Sequence, residues 1–350
     1  MMFMKDVLVT TFSNTYNKGA NLQMFALKES IESLGANVGF LNVKLREKHN
    51  IKGMIWKYVN SFFAFCFRKT IKLRYTKYYK SYDELLSSPP KADIYIVGSD
   101  QIWNNVLTLS TDSRIYYCCY LPDKARKFSY AASFGSNEWV KTPYDEEIFN
   151  SLQTFQRLSV RELDSIEIIN NLIGNTDVRL DLDPTLLLSS SSLDKLCKQE
   201  KNHFSSNYIY CYMLYQDHNI NELLDVLLKD NSKSVKGHSR RGILRVKDIC
   251  TIRGWVKNIA NSDLVITNSF HCLVFSILYH KNFIVLPSHP NREGRLLSLL
   301  NLIHQENRYV NNLSSIHPSL FNDIDYDVVE KFLSPYRESS MQYLKDILSE

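Results

Sequence analysis

The sequence predicts an α/β protein built from two doubly wound halves, each a parallel sheet with helices on both faces. Three observations carry this. Short apolar runs of strand length alternate with amphipathic helical segments, the pattern of right-handed β-α-β crossovers. Several of these runs exit into polar or glycine-containing turns, as strands do at the carboxyl edge of such a sheet. A polar, Ser-rich stretch within 186–206 interrupts the alternation, which then resumes. The 350 residues, 44% of them apolar, suffice for two cores. With only 11 Gly and 9 Pro and no low-complexity tract or fixed-period repeat, collagenous, largely disordered and solenoid classes are excluded.

Taken in order, residues 6–11 (DVLVTT) read as a buried strand, 20–34 as a helix closed by Gly35, and 38–43 as a second strand. A basic, aromatic helical insertion follows at 44–82. Pro89 and Pro90 then punctuate the chain before the strand 93–97 (DIYIV), and 127–133, 158–161 and 178–182 are further strand candidates. This first domain spans 1–188. Beyond it, strands at 208–214, 263–267 and 283–286 alternate with helices at 220–228, 252–260, 272–279 and 295–302, giving a second domain over 189–325. A terminal helix at 328–348, within a segment 326–350, is expected to pack back on the first domain.

Charge is uneven. The net charge is +5, yet residues 44–80 hold 11 Lys or Arg against the single acid Glu47, which leaves the rest of the chain at −5. Aromatic residues Trp56, Tyr58, Phe62, Phe63, Phe65 and Phe67 lie among these cations. Such a segment, 52–80 at its widest, can rest on an anionic membrane surface, where each basic side chain contributes about 1 kcal/mol. It can also be an ordinary amphipathic pair of helices with aromatics inward. Nucleic acid is a third reading, but no known nucleic-acid motif supports it, so no nucleic-acid partner is expected. The seven cysteines lack CxxC spacing and read as reduced, mostly buried thiols. No apolar run approaches the ~20 residues of a membrane span. The first residues lack a secretory pattern, so the expected location is cytoplasmic, with peripheral contact at the inner membrane face.

Five constellations fall where strands should end. Asn17-Lys18-Gly19-Ala20 enters the first long helix, where glycine permits close backbone approach and the helix end offers amides to an anion. Gly98-Ser99-Asp100-Gln101-Ile102-Trp103-Asn104 is more polar than a turn after a buried strand requires. Ser129 to Gly135 (SYAASFG) supplies small residues, Ser133 among them. Val160-Arg161-Glu162 leaves a short strand with a guanidinium suited to a carboxylate or phosphate, unless Arg161 pairs with Asp181 or Asp183 instead. The last is Thr267-Asn268-Ser269-Phe270-His271, a strand exit entering an apolar helix. A helix amino end disfavours the imidazolium, keeping His271 neutral and usable as a base. Asn291, Arg292 and Arg295 precede the next helix, bringing further cations to the same edge.

At these places the chain resembles the polysaccharide pyruvyl transferase family. The resemblance is carried by Asn17-x-Gly19-Ala20 with Leu22-Gln23, GSDQIWN at 98–104, SYAASFG at 129–135, Val160-Arg161-Glu162, Asp183-Pro184-Thr185-Leu186-Leu187, TNSFH at 267–271 and Arg295-Leu296-Leu297, in the family's order. It implies a fold similar to glycosyltransferases of the GT-B type, with paired Rossmann-like domains facing a central cleft. It also implies transfer of the enolpyruvyl unit of phosphoenolpyruvate to a sugar hydroxyl of a capsule, exopolysaccharide or cell-wall precursor, which can be polyprenyl-linked. Many members carry Arg where this chain has Ser269, an aromatic where it has Lys18, and Gly where it has Cys272.

The expected roles follow from the donor's chemistry. A carboxylate and a phosphate require cations and helix-end amides, so Arg161 and Arg295 are the donor ligands, assisted by Ser269, Asn268 and Gly19. His271 and Asp100 share the proton transfers. Asn17, Ser99, Gln101, Trp103 and Ser133 line the acceptor side. Phosphoenolpyruvate is a co-substrate; no other cofactor is expected, and no residue spacing calls for a metal. The competing expectations are a nucleotide-sugar glycosyltransferase and a non-catalytic, membrane-recruited assembly protein.

Overall fold

The structure is a computed structural model that describes residues 4–43, 54–108, 111–197, 207–215, 217–229, 233–237, 250–288 and 293–350, with the side chains at 54–56 and 197 outside the description. The chain forms two compact units, Met1–Leu188 together with Tyr336–Glu350, and Ser189–Pro335.

The first unit holds strands β1 (Asp6–Thr10), β2 (Asn37–Val43), β3 (Tyr75–Tyr79), β4 (Ile94–Asp100), β5 (Lys127–Ala132), β6 (Leu158–Val160) and β7 (Val178–Leu180), in the sheet order β3-β2-β1-β4-β5-β6-β7. Every pairing is parallel. Between the strands run α1 (Lys18–Ser33), α2 (Met54–Thr70), α3 (Tyr82–Ser87), α4 (Asn105–Thr108), α5 (Asp145–Gln153) and α6 (Leu163–Ile173). Alternating side chains of one strand feed opposite cores, as in any sheet covered on both faces. Val7 and Val9 of β1 join Met24, Leu27 and Ile31 of α1 on one face. Leu8 joins Trp103, Tyr116 and the buried residues of α5 and α6 on the other.

The second unit has β8 (Tyr208–Tyr212), β9 (Ser234–Gly237), β10 (Leu264–Thr267) and β11 (Asn282–Val285) in the parallel order β11-β10-β8-β9, among the described residues. Its helices are α7 (Ser190–Cys197), α8 (His218–Lys229), α9 (Ile252–Ala260), α10 (Phe270–Leu278), α11 (Gly294–Leu302) and the start of α12 (Tyr326–Ser349). Helix α12 crosses the division between the units at Pro335, a residue that removes one helical hydrogen bond. Past it, Tyr343, Leu344 and Ile347 are core residues of the first unit, and the Tyr343 hydroxyl donates to the Ser129 carbonyl at 3.0 Å.

Two parts of the sequence reading change. The basic stretch is not a helical pair: α2 is followed by the edge strand β3, whose run YTKYY combines aromatic and β-branched residues that favour a strand over a second helix. An edge strand tolerates Lys77 because one side faces solvent. The edge strand β9 was not foreseen, since Ser234–Gly237 contains a single large apolar residue. Of the basic segment, residues 44–53 lie outside the described residues.

Trp103 also moves, from acceptor side to core. It is 0% exposed, donates from Nε1 to the Tyr116 carbonyl at 3.0 Å, and stacks on Tyr117 with centroids 5.7 Å apart. A fully covered ring packs and cannot meet a sugar. Trp103→Ala is therefore expected to cost about 3–5 kcal/mol of stability, read as a lower midpoint in denaturant unfolding.

Candidate functional site

In a doubly wound sheet, ligands gather at the carboxyl ends of adjacent strands whose connections leave in opposite directions. The first unit has this arrangement at β1 and β4, and the second at β8 and β10. The expected site residues lie at or beside these ends, and the structure divides them into brackets and exposed chemistry.

In the first unit most of them are brackets. Asn17 caps α1, its Oδ1 accepting from the Ala20 amide at 3.1 Å, and Gly19 is buried as the second residue of that helix. Asn17 thereby commits its side-chain oxygen to the helix as an ordinary cap. Thr11 Oγ1 donates to the Ser99 carbonyl at 3.0 Å and accepts from Gln23 Nε2 at 2.9 Å, tying the exit of β1 to that of β4. Gly98 has a φ of +125°, and a Cβ there would overlap the Tyr130 carbonyl oxygen, so only glycine fits. Ser99 is wholly buried and donates to the Ala131 carbonyl. Gln101 lies against Gly135 with no room for a Cβ between them. Ser133 donates to Glu162 Oε1 at 2.5 Å, which also accepts from Ser165 Oγ at 3.0 Å. Ser99 and Ser133 thus hold strand ends together, Gln101 packs against Gly135, and none of the three is on the surface.

Arg161 shows the same division. Its side chain is 3% exposed, with Nη1 2.6 Å from Asp183 Oδ2, Nη2 3.6 Å from Asp100 Oδ1 and Nε 3.7 Å from Glu162 Oε2. Burial alone would lower its basicity, but the nearby charges of Asp183, Asp100 and Glu162 outweigh this and raise it. The ion-pair alternative, with Asp183, is the one the geometry displays. Asp183 also accepts from the Thr185 amide and hydroxyl, at 3.0 and 2.6 Å. Asp100 is the partly open member of the group, with a side chain 13% exposed and a φ of +78°, a conformation that Asp tolerates better than most residues. Glu162 and Thr185 stood within the motifs Val160-Arg161-Glu162 and Asp183-Pro184-Thr185-Leu186-Leu187 without a role of their own, and Ser165, three residues beyond Glu162, was not singled out by sequence reasoning.

In the second unit Asn268 is the bracket. Its Oδ1 accepts from the Leu214 amide at 2.8 Å, while Nδ2 donates to the carbonyls of Tyr215 at 2.7 Å and Pro287 at 2.9 Å. One side chain thereby fixes the loops after β8, β10 and β11, which commits both of its N–H donors to the protein. Ser269 precedes α10 without capping it through its side chain, and its amide donates to Thr267 Oγ1 at 3.0 Å. His271 sits in the first turn of α10, 8% exposed. The Phe270 ring stands edge-on to His271 with centroids 5.5 Å apart, and the Arg295 guanidinium lies 5.7 Å from the same ring. A helix amino end, an imidazole and a cation are therefore neighbours through Phe270. Phe270 stood inside the motif at 267–271 without a role of its own. Burial pushes the adjacent Cys272 thiol up to about 12, so it stays protonated and is no nucleophile. Asn291 and Arg292 lie outside the described residues.

Removing Arg161 leaves three carboxylates without their central cation. Arg161→Ala is expected to destabilise the fold by about 3–5 kcal/mol, measured by urea unfolding at neutral pH.

A search of curated proteins finds none that matches. Among solved structures, a protein assigned as a UDP-N-acetylglucosamine 2-epimerase from Listeria monocytogenes is similar at 10% identity and a TM-score of 0.53, covering 98% of this chain and 91% of that one. The Arabidopsis thaliana protein UGT89C1 is similar at 10% identity and a TM-score of 0.53, covering 99% of both. These likenesses show the fold class, α/β with paired Rossmann-like domains as in GT-B glycosyltransferases. The family model described as polysaccharide pyruvyl transferase matches residues 17–290, a span that contains the polar exits of β4 and β10. The chain is therefore a transferase that belongs to the polysaccharide pyruvyl transferase family.

Proposed function

We propose that the protein moves the enolpyruvyl group of phosphoenolpyruvate onto a sugar hydroxyl of a cell-surface polysaccharide precursor, closing a pyruvate ketal and releasing phosphate. The observation that carries this reading is the grouping of Arg295, His271 and the amino end of α10 around Phe270. A carboxylate and a phosphate need a cation and helix-end amides, and this grouping offers both.

The chemistry balances without a further reagent. A proton adds to the methylene carbon of the donor, and positive charge develops at C2, stabilised by its ester oxygen. The acceptor hydroxyl attacks C2 and loses its proton to a base. Phosphate then leaves with the C2–O bond electrons, and a second hydroxyl of the same sugar closes the ketal while giving up its own proton. His271 is assigned as the base, because the positive end of α10 opposes the imidazolium. Asp100, whose partly exposed carboxyl group lies at the end of β4, is assigned the other proton transfer, delivering to the methylene carbon the proton it carries in its acid form.

Purified protein given phosphoenolpyruvate and a panel of sugar diols is expected to release inorganic phosphate. His271→Ala is expected to lower kcat by about 10²–10⁴-fold, with the donor KM little changed. Arg295→Ala is expected to raise the donor KM, and Arg295→Lys to restore part of it, because a point charge replaces only part of a planar fork. Thermal stabilisation by a UDP-sugar, with none by phosphoenolpyruvate, would overturn the assignment in favour of glycosyl transfer.

A further inference from the structure

Helix α2 has two faces of opposite character. Asn60, Ala64, Phe67 and Ile71, spaced four, three and four residues apart, are buried, and Phe67 meets Phe25 of α1 with centroids 6.3 Å apart. The other side carries Tyr58, Phe62 and Phe65, again at spacings of four and three, and these rings are 68%, 61% and 52% exposed. An amphipathic helix ordinarily hides its aromatic stripe and shows its polar one. Here both stripes are apolar, and the inner one fixes which way the outer one points.

The outer stripe is bordered by positive charge. Lys69 lies over the Phe65 ring at 5.6 Å, Lys69 and Lys72 are exposed, and Lys77 and Lys80 follow on and after β3. From residue 48 to residue 82 the sequence contains no Asp or Glu. The position of α2 is tied to the carboxyl edge of the first unit's sheet. Arg68 Nη1 donates to the Thr15 carbonyl at 2.8 Å, Lys18 Nζ donates to Asn60 Oδ1 at 3.0 Å, and Lys57 lies 5.8 Å from the Tyr16 ring. Thr15 and Tyr16 belong to the loop between β1 and α1, and Lys18 is the first residue of α1.

We infer that this outer face of α2 docks on an anionic phospholipid bilayer. Exposed aromatic rings that can sit at the level of the headgroups, beside lysines from a stretch of sequence free of Asp and Glu, are what such a surface selects. Among the described residues no helix is long and apolar enough to cross a membrane, so the contact is peripheral. Docking there brings the exit of β1 close to the headgroups. The inference does not depend on the reaction assigned above.

The full-length protein is mixed with phosphatidylcholine vesicles, with or without phosphatidylglycerol, and the fraction that floats with the lipid is measured. Binding is expected only to the anionic vesicles and is expected to fall with added salt. Phe62→Ser with Phe65→Ser, and separately Lys69→Glu with Lys72→Glu, are each expected to weaken it about tenfold or more. Both pairs replace exposed side chains, so phosphate release with a water-soluble acceptor is expected to stay at the wild-type rate. Equal binding to both vesicle types would overturn the inference, as would wild-type flotation of the variants. Retention of a single-stranded oligonucleotide by a protein that ignores anionic vesicles would also overturn it, and would point to nucleic acid.

Discussion

A parallel sheet stops abruptly at its carboxyl edge, and each loop leaving it must find partners for polar groups that no neighbouring strand can satisfy. That constraint shapes both units of this protein. In the first, the exits of β4, β6 and β7 meet at one guanidinium, that of Arg161, set among Asp100, Glu162 and Asp183. In the second, three loops hang on the amide group of Asn268. An unpaired buried polar group costs more than a satisfied one gains, so Asn268, with its oxygen and both N–H donors bonded, acts as a joint, and Arg161 is committed to Asp183 through Nη1.

Once those joints are subtracted, less remains that can meet a substrate, and it is more sharply placed. On the first unit it is the partly open carboxylate of Asp100. On the second it is the amino end of α10 with His271, flanked by Arg295 across the Phe270 ring. The aromatic ring keeps a cation and an imidazole near each other. The same economy explains the serines: Ser99, Ser133 and Ser165 are small enough to enter the packed edge and still donate a hydrogen bond.

Much of this was legible without coordinates, and the reasons are local. Strands such as β4 and β10 are continuous apolar runs because both faces of a covered parallel sheet are buried. Helix α9 has the same ends, Ile252–Ala260, in sequence and in structure, since Thr251 caps it through the Gly254 amide. The edge strands β3 and β9 were harder, because half-exposed strands carry little apolar signal. Trp103 was misread for the opposite reason: it stands in a polar run, and sequence position does not reveal that the chain turns it inward on Tyr117.

By itself the sequence determined the fold class, the places where polar residues interrupt apolar strands, and the concentration of positive charge in one acid-free segment, because each depends on residue type and spacing along the chain. Tertiary structure decided which of those polar residues have their hydrogen bonds and charge already spent. Arg161 and Asn268 look like ligands in one dimension; in three they face Asp183 and the carbonyls of Tyr215 and Pro287. The partners that neutralise them lie 19 to 53 residues away along the chain, and only folding brings such groups within bonding distance.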